Sequence, residues 1–286
     1  WNGDLISDEL KKIKQKIGRV SYTIADGGRG IVRGLRLSRI KYVPDITHRV
    51  ACFLKQSYKE DESFVAYTKK MAKMRCTLLL SKVSHILPPA QRINSRFMNL
   101  SIISDWGMKV LKLLDKQEDI FTEEKRHLSW VDEYRDLINE LHALNTGLNE
   151  ILELVKVRGL SNKTIKLSLE TLSKLETRNN TRISQVVDQL TDYLKTTKRK
   201  FKNKANIICS SDIIESAFGK FKNYLINNPM LGITDLSLAI SAFTSDLDEK
   251  TITKAMQSSK VTDCESWKAE NIKETNLFKR RKILKK

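Results

Sequence analysis

Apolar side chains recur three and four residues apart through the middle of this chain, and that spacing limits the fold more than any other feature. The spacing is most regular over residues 130–157, where it predicts one long helix with a coiled-coil-like apolar seam. The seam consists of Tyr134, Leu137, Leu141, Leu144, Leu148, Ile151 and Val155. Gly159 and Ser161 interrupt the pattern before a second long helix, which is predicted over 162–204. The short break predicts an antiparallel pair of helices.

Helical spacing also covers residues 46–82, with a weak point at 60–63, and residues 98–115. No convincing strand occurs from Asp45 to about residue 206. The chain has few aromatic residues and four prolines among 286 residues, and this composition also favours helix. The middle of the chain is therefore predicted to be an all-helical block.

The first 44 residues follow a different pattern, in which helices and strands alternate. A helix is predicted to end before Gly18, and a strand over Val20–Ala25 follows it. A short helix around 31–35 then leads to a second strand over Ile40–Val43, closed by Pro44. This order is typical of an α/β layer.

The chain after the helical block begins with a short apolar run at Asn206, which leads into a helix that reaches Leu225. Further helices are predicted over 234–243 and 246–257, and a basic tail ends the chain. The predicted fold class is therefore an α/β core that is interrupted by a large all-α insertion, in a chain that is predominantly helical overall.

The chain is strongly basic, with a formal net charge of +18. A basic surface of this kind attracts polyanions, and nucleic acid is the expected partner. The alternative is a ribosome-like or merely soluble basic protein. The clearest basic segment is the end of the second long helix, and two further lysines precede Leu225. The candidate nucleic-acid-binding residues are Lys195, Lys198, Arg199, Lys200, Lys202, Lys220 and Lys222. A solvated basic helix end explains the same segment without a ligand.

The four cysteines, Cys52, Cys76, Cys209 and Cys264, are far apart and form no Cys-x-x-Cys pair, which disfavours a zinc knuckle. Scattered thiols of this kind are typical of reduced core residues in a cytosolic protein. No apolar segment approaches the roughly 20 residues of a membrane span, and no secretory signal is visible at the start. The expected location is the bacterial cytoplasm, near the nucleoid, with no membrane partner.

Three acidic positions are candidates for chemistry, and each has a structural alternative. Asp26 follows the first strand, where α/β folds place their sites, but Asp-Gly is also a common turn. Asp45, with His48 three residues later, follows the second strand and can instead cap the next helix. Glu215 lies three residues after Asp212, which is also the spacing of a capping box.

The order of these motifs resembles the C-terminal part of a DDE transposase. The segments that carry the resemblance are YTIADGG, PDITH and SSDIIESAFGKFK, separated by the long helical block. They resemble the Mutator-like and hAT-like group, which has an RNase H-like core with an all-helical insertion. The resemblance covers about residues 15–245. It implies core segments over 1–44 and 206–260, an insertion over 45–205 and a basic tail over 261–286.

The resemblance implies DNA strand cleavage and transfer, with Asp26 and Glu215 as catalytic metal ligands. Asp45 and His48 would lie beside the active site. The expected cofactor is two Mg²⁺ or Mn²⁺ ions, which suit carboxylate ligands, and the expected partners are transposon ends and target DNA. A homodimer or a larger assembly is also implied.

The family needs a further Asp on an earlier strand, and nothing before Asp26 supplies it. Because the chain starts at Trp1, we expect a truncated transposase that is inactive alone. The alternatives are a non-catalytic basic helical nucleic-acid-binding protein and an RNase H-like nuclease.

Overall fold

The computed structural model describes residues 2–91, 97–116, 121–175, 180–226, 240, 248–271 and 276–284. The chain divides into two compact units, residues 1–210 and 211–286. The first unit contains the large hydrophobic core, which extends from Val43 to Cys209.

The first unit begins with the predicted alternation of helices and strands. The elements are α1 (Gly3–Ile17), β1 (Thr23–Ala25), α2 (Arg29–Leu37) and β2 (Tyr42–Pro44). The two strands are parallel, with Thr23 beside Tyr42 and Ala25 beside Pro44. The predicted order is confirmed, although each strand has three residues and is shorter than its apolar pattern predicts.

The predicted helical block follows β2 and consists of separate helices. Their bounds are α3 (Ile46–Tyr58), α4 (Glu62–Leu78), α5 (Leu100–Leu114), α6 (Thr122–Leu128), α7 (Arg135–Arg158), α8 (Asn162–Leu175) and α9 (Thr181–Lys200), with a 3-10 turn at Ser129–Tyr134. The weak point predicted at 60–63 is confirmed as a helix boundary. There Asp61 caps α4, since its side chain accepts a hydrogen bond from the Phe64 N–H.

The prediction of one continuous helix over 162–204 is wrong. Asn180 has an extended backbone and accepts hydrogen bonds from the N–H groups of Arg182 and Ile183. This side-chain cap starts a new helix at Thr181, because Asn satisfies the N–H groups that a helix start leaves unpaired.

The seam of α7 is buried as its spacing predicts, and every residue of the predicted set belongs to the core. Helix α5 packs antiparallel to α7, with Ser104 near Asn145 and Gly107 near Ile138. Helix α8 also packs on α7, and α9 packs antiparallel to α3 with Ser57 bonded to Gln185. The helical block is therefore one layered bundle around α7 and α9.

The described part of the second unit consists of α10 (Asp212–Ile226), α11 (Glu249–Ser258), α12 (Val261–Asn271) and α13 (Asn276–Leu284), together with residue 240. The helix predicted over 234–243 lies almost entirely outside the described residues. The prediction of a predominantly helical chain is confirmed, and one two-stranded parallel sheet occurs within the described ranges. The RNase H-like core and the insertion stay predictions.

Candidate functional site

Two of the predicted acids follow neighbouring parallel strands. Asp26 comes directly after β1, and Asp45 comes directly after β2. A hydrogen bond of 2.8 Å from the Asp45 N–H to the Ala25 carbonyl continues the strand pairing as far as these residues. Because the strands are parallel, their carboxyl ends lie at the same edge of the sheet, and both acids follow the strands at that edge.

Asp26 makes the turn that its sequence predicts and still has an exposed side chain. Its Oδ1 accepts a hydrogen bond of 3.1 Å from the Gly28 N–H, and α2 begins at the next residue. Within the described ranges, no ion pair and no other hydrogen bond involves this carboxylate. Both interpretations of Asp26, turn and accessible acid, are therefore compatible with its position.

Asp45 is fully buried and caps α3. It has 0% exposure, and its Oδ1 accepts a hydrogen bond of 3.0 Å from the His48 N–H. His48 itself is half-buried in the first turn of α3. The structural alternative for Asp45 is therefore realised, and this carboxylate helps to fix the backbone on which His48 lies.

The surroundings of Asp45 are also buried. The Tyr193 hydroxyl donates a hydrogen bond of 2.6 Å to the Pro44 carbonyl, and the Cys209 carbonyl accepts one of 2.8 Å from the Ile46 N–H. Burial raises the pKa of the Cys209 thiol to about 12, and burial with the nearby Cys209 raises the pKa of Tyr193. The interior behind Asp45 is therefore closed to solvent.

Cysteine burial differs from the prediction at two positions. Cys209 is buried, as predicted, but Cys52 and Cys76 are exposed. The prediction of core thiols is wrong for these two residues, since both lie on the solvent sides of α3 and α4, which bury Phe53 and Met74 beside them. The side chain of Cys264 lies outside the described residues.

A metal ion requires several ligands close together, and the described residues at the strand ends do not provide such a group. In the described part of the chain, no three side chains of His, Cys, Asp or Glu lie together. At the strand ends, Asp26 offers an exposed carboxylate, whereas Asp45 is enclosed and bonded to the backbone. The first unit therefore supplies one accessible acid at this edge, which does not make a metal site without further ligands.

Glu215 belongs to the second unit and lies in the first turn of α10. Its side chain is exposed, and its Oε1 lies 3.4 Å from the Ser211 hydroxyl. Lys220 and Lys222, one and two turns further along, are also exposed. The predicted site residues of this segment are thus all accessible on a helix.

A basic cavity lies at the other edge of the strand pair, where both strands start. Its volume is about 450 Å³, and it is formed by the segments that precede β1 and β2 and by the end of α9. The cationic side chains that line it are Arg19, Arg39, Lys41, Arg199, Lys200, Lys202 and Lys204. No acidic side chain of the described residues lines this cavity.

Helix α9 connects the two edges. It runs antiparallel to β2, with Tyr193 bonded to Pro44 and the Lys200 Nζ donating a hydrogen bond of 2.9 Å to the Tyr42 carbonyl. The Lys200 ammonium also lies 4.6 Å from the centre of the Tyr42 ring. Burial and the nearby Lys41 lower the pKa of Lys200.

The cavity includes part of the predicted basic cluster. Arg199, Lys200 and Lys202 line it, whereas Lys195 and Lys198 do not. The Lys198 ammonium instead donates hydrogen bonds to the carbonyls of Lys204 and Ala205.

Sequence reasoning missed four cations of the cavity, Arg19, Arg39, Lys41 and Lys204. Three of them are isolated basic residues in loops, and no run of charge marks them. Arg19 and Arg39 each come just before a predicted strand, and Lys41 lies near the start of the second one. This is the one signal that could have grouped the three.

None of the helices in the described residues combines the length and the apolar character that crossing a bilayer requires. No protein-family model matches this chain, and no curated protein matches its sequence.

Proposed function

We propose that this chain takes part in metal-dependent cleavage and transfer of DNA strands, with a site of the DDE transposase kind. The observation that carries the proposal is the position of Asp26 and Asp45 after neighbouring parallel strands. The helical block begins at Asp45, and Glu215 follows that block on a helix. This order of elements is the one that the family resemblance implies.

The residues of the chain have different proposed roles. Asp26 and Glu215, both exposed, would hold Mg²⁺ or Mn²⁺, which when bound activates the attacking oxygen and stabilises the leaving oxygen. Asp45 is a positioning residue, because it is buried and fixes the start of α3. His48 lies on that first turn, where it would contact the DNA.

A second candidate function is non-catalytic nucleic-acid binding. The burial of Asp45 is compatible with it as well, because a carboxylate that is enclosed and bonded to a backbone N–H serves the fold in either case. The basic cavity suits either function. An RNase H-like nuclease would use the same two acids, and it would cleave strands without joining them.

The proposal requires Asp26 and Glu215 to belong to one metal site, and iron can test this without any activity assay. Fe²⁺ in place of Mg²⁺, with ascorbate and peroxide, generates hydroxyl radicals that cut the backbone next to the metal. We expect cuts near both residue 26 and residue 215. Asp26→Asn alone and Glu215→Gln alone should each remove both sets of cuts, since either change removes a ligand.

Asp8→Asn is the matched control, because Asp8 is an exposed acid on α1, outside the proposed site. Cuts near one of the two positions, or cuts that survive both substitutions, would contradict the shared site. In a full-length version that cleaves DNA, Asp26→Ala and Glu215→Ala should abolish strand cleavage and leave DNA binding nearly intact. Loss of binding in those variants would instead favour the non-catalytic candidate.

A further inference from the structure

The basic cavity concentrates positive charge that the described residues do not neutralise. Seven cationic side chains line it, and none of them forms an ion pair with an acid in the described part of the chain. By contrast, Arg135 and Arg182, elsewhere in the same unit, each contact two acids. The uncompensated charge is therefore a property of this cavity and not of every basic residue in the unit.

Neutral groups hold the cavity walls in place. Lys200 is fixed by the Tyr42 carbonyl and ring, and the Lys204 ammonium lies 3.4 Å from the Ser21 hydroxyl. Arg39 has a left-handed backbone with φ of 54°, in the tight turn that ends α2, where its N–H donates to the Arg36 carbonyl. The turn and these neutral contacts therefore set the positions of several cations before any ligand binds.

The mutual repulsion of these cations disfavours the empty cavity. Burial lowers the pKa of Lys200, and repulsion from the nearby Lys41 lowers it further. An anion in the cavity would reverse the effect, because it stabilises the charged form of each side chain. One phosphodiester group carries a single negative charge, so seven cations exceed what one such group can neutralise. The charge of the cavity therefore suits several phosphate groups held close together.

We infer that this cavity binds two or more adjacent phosphate groups of a nucleic-acid strand. The inference deepens the proposed function and rests on it in one respect, the choice of nucleic acid as the substrate. Contacts to phosphate carry no sequence information, so the cavity binds strands of any sequence. Its cations come from residues 19–41 and 199–204, so binding also requires the strand pair and α9 to be folded together.

The test compares two double variants that remove the same charge. Arg39→Gln/Lys41→Gln removes two cations from the cavity wall, and both side chains are exposed. Lys109→Gln/Lys112→Gln is the control, because both lysines are exposed on α5 and contribute nothing to the cavity. The affinity of the full chain for a labelled DNA duplex of mixed sequence is measured at several salt concentrations.

We expect the cavity variant to bind about tenfold more weakly. Its salt slope, the slope of the logarithm of affinity against the logarithm of salt concentration, should be smaller by about two, one for each cation that no longer neutralises a phosphate. The control should keep the affinity and slope of the parent within error. Arg199→Gln/Lys202→Gln changes the opposite wall and should behave like the first cavity variant. Circular dichroism of every variant shows whether it is folded.

Three results would overturn the inference. Equal weakening in the cavity and control variants would mean that DNA responds to net charge alone. Unchanged binding in both cavity variants would mean that DNA lies elsewhere. Tripolyphosphate that binds with the same residue dependence while DNA does not would assign the cavity to a soluble polyphosphate. The iron-induced cuts report on the metal site and the salt dependence of binding reports on the cavity, so a failed metal site and a failed cavity give different results.

Discussion

Asp45 is a buried carboxylate, and one of its partners is the His48 N–H, 3.0 Å away at the start of α3. Replacing it with Ala leaves that N–H, on half-buried His48, without its acceptor. We expect Asp45→Ala to lower the free energy of unfolding by about 1–2 kcal/mol, the usual range for removal of a helix cap. Urea unfolding followed by circular dichroism measures the change.

Asp45→Asn is the informative comparison, because Asn keeps an oxygen that can accept the same hydrogen bond but carries no charge. We expect this variant to retain most of the stability of the parent. If Asn and Ala destabilise equally, the negative charge of Asp45 matters more than its capping bond, and a role for that charge beside the active site gains support.

At single residues, sequence reasoning predicted the local partners well and burial poorly. The Asp-Gly turn at Asp26 and the cap at Asp45 were both among the alternatives, since each depends on contacts within three residues. The burial of Asp45 and the exposure of Cys52 depend on which segments pack nearby. Residue type alone contains no information about those neighbours.

Gly107 decides how closely two helices approach. A Cβ at this position would lie 2.7 Å from the Tyr67 hydroxyl and 2.9 Å from the Ile138 side chain, so α5, α4 and α7 meet around a missing side chain. We expect Gly107→Ala to destabilise the protein by about 1–2 kcal/mol, because overpacking outweighs the better helix propensity of Ala. Thermal unfolding is the measurement.

The matched control is Gly219→Ala in α10, where no atom of the described residues lies within 4 Å of an added Cβ. There the higher helix propensity of Ala acts alone, so the change should be neutral or slightly stabilising. If Gly107→Ala is also stabilising, the helices can separate without cost, and the close approach is not important for the fold.

Helix positions were largely predictable, whereas their pairing was not. Periodicity and the weak point at 60–63 place α3, α4 and α5 within a few residues of their observed bounds, whereas α7 begins at Arg135 and not at 130. The pairing of α3 with α9 joins segments more than a hundred residues apart, as in the hydrogen bond between Ser57 and Gln185. A helical repeat shows which face is apolar, and it does not show which other face will cover it.

For the whole molecule, the net charge of +18 indicated a polyanion as partner but not where it would bind. The sequence pointed to the run at the end of α9, because consecutive lysines are visible without a structure. Folding adds Arg19, Arg39 and Lys41, about 160–180 positions earlier, by placing the starts of both strands beside Lys200. A cavity made of distant segments is a property of the topology, and charge counting cannot reveal it.

The first compact unit, residues 1–210, should therefore fold and bind nucleic acid by itself. It contains the large core and all the residues that line the basic cavity, and Ile207 and Cys209 near its end are buried and bonded to Leu160 and Ile46. We expect the isolated unit to unfold cooperatively in urea and to show the same sensitivity to Arg39→Gln/Lys41→Gln as the full chain.

The salt dependence of DNA binding by the isolated unit should be weaker in total, because the unit lacks the exposed cations of α13, such as Lys279 and Arg281. A unit ending at residue 200 is the control and should be less stable, since it lacks the buried Ile207 and Cys209. A stable 1–210 unit that no longer binds DNA would show that the cavity is not sufficient for binding.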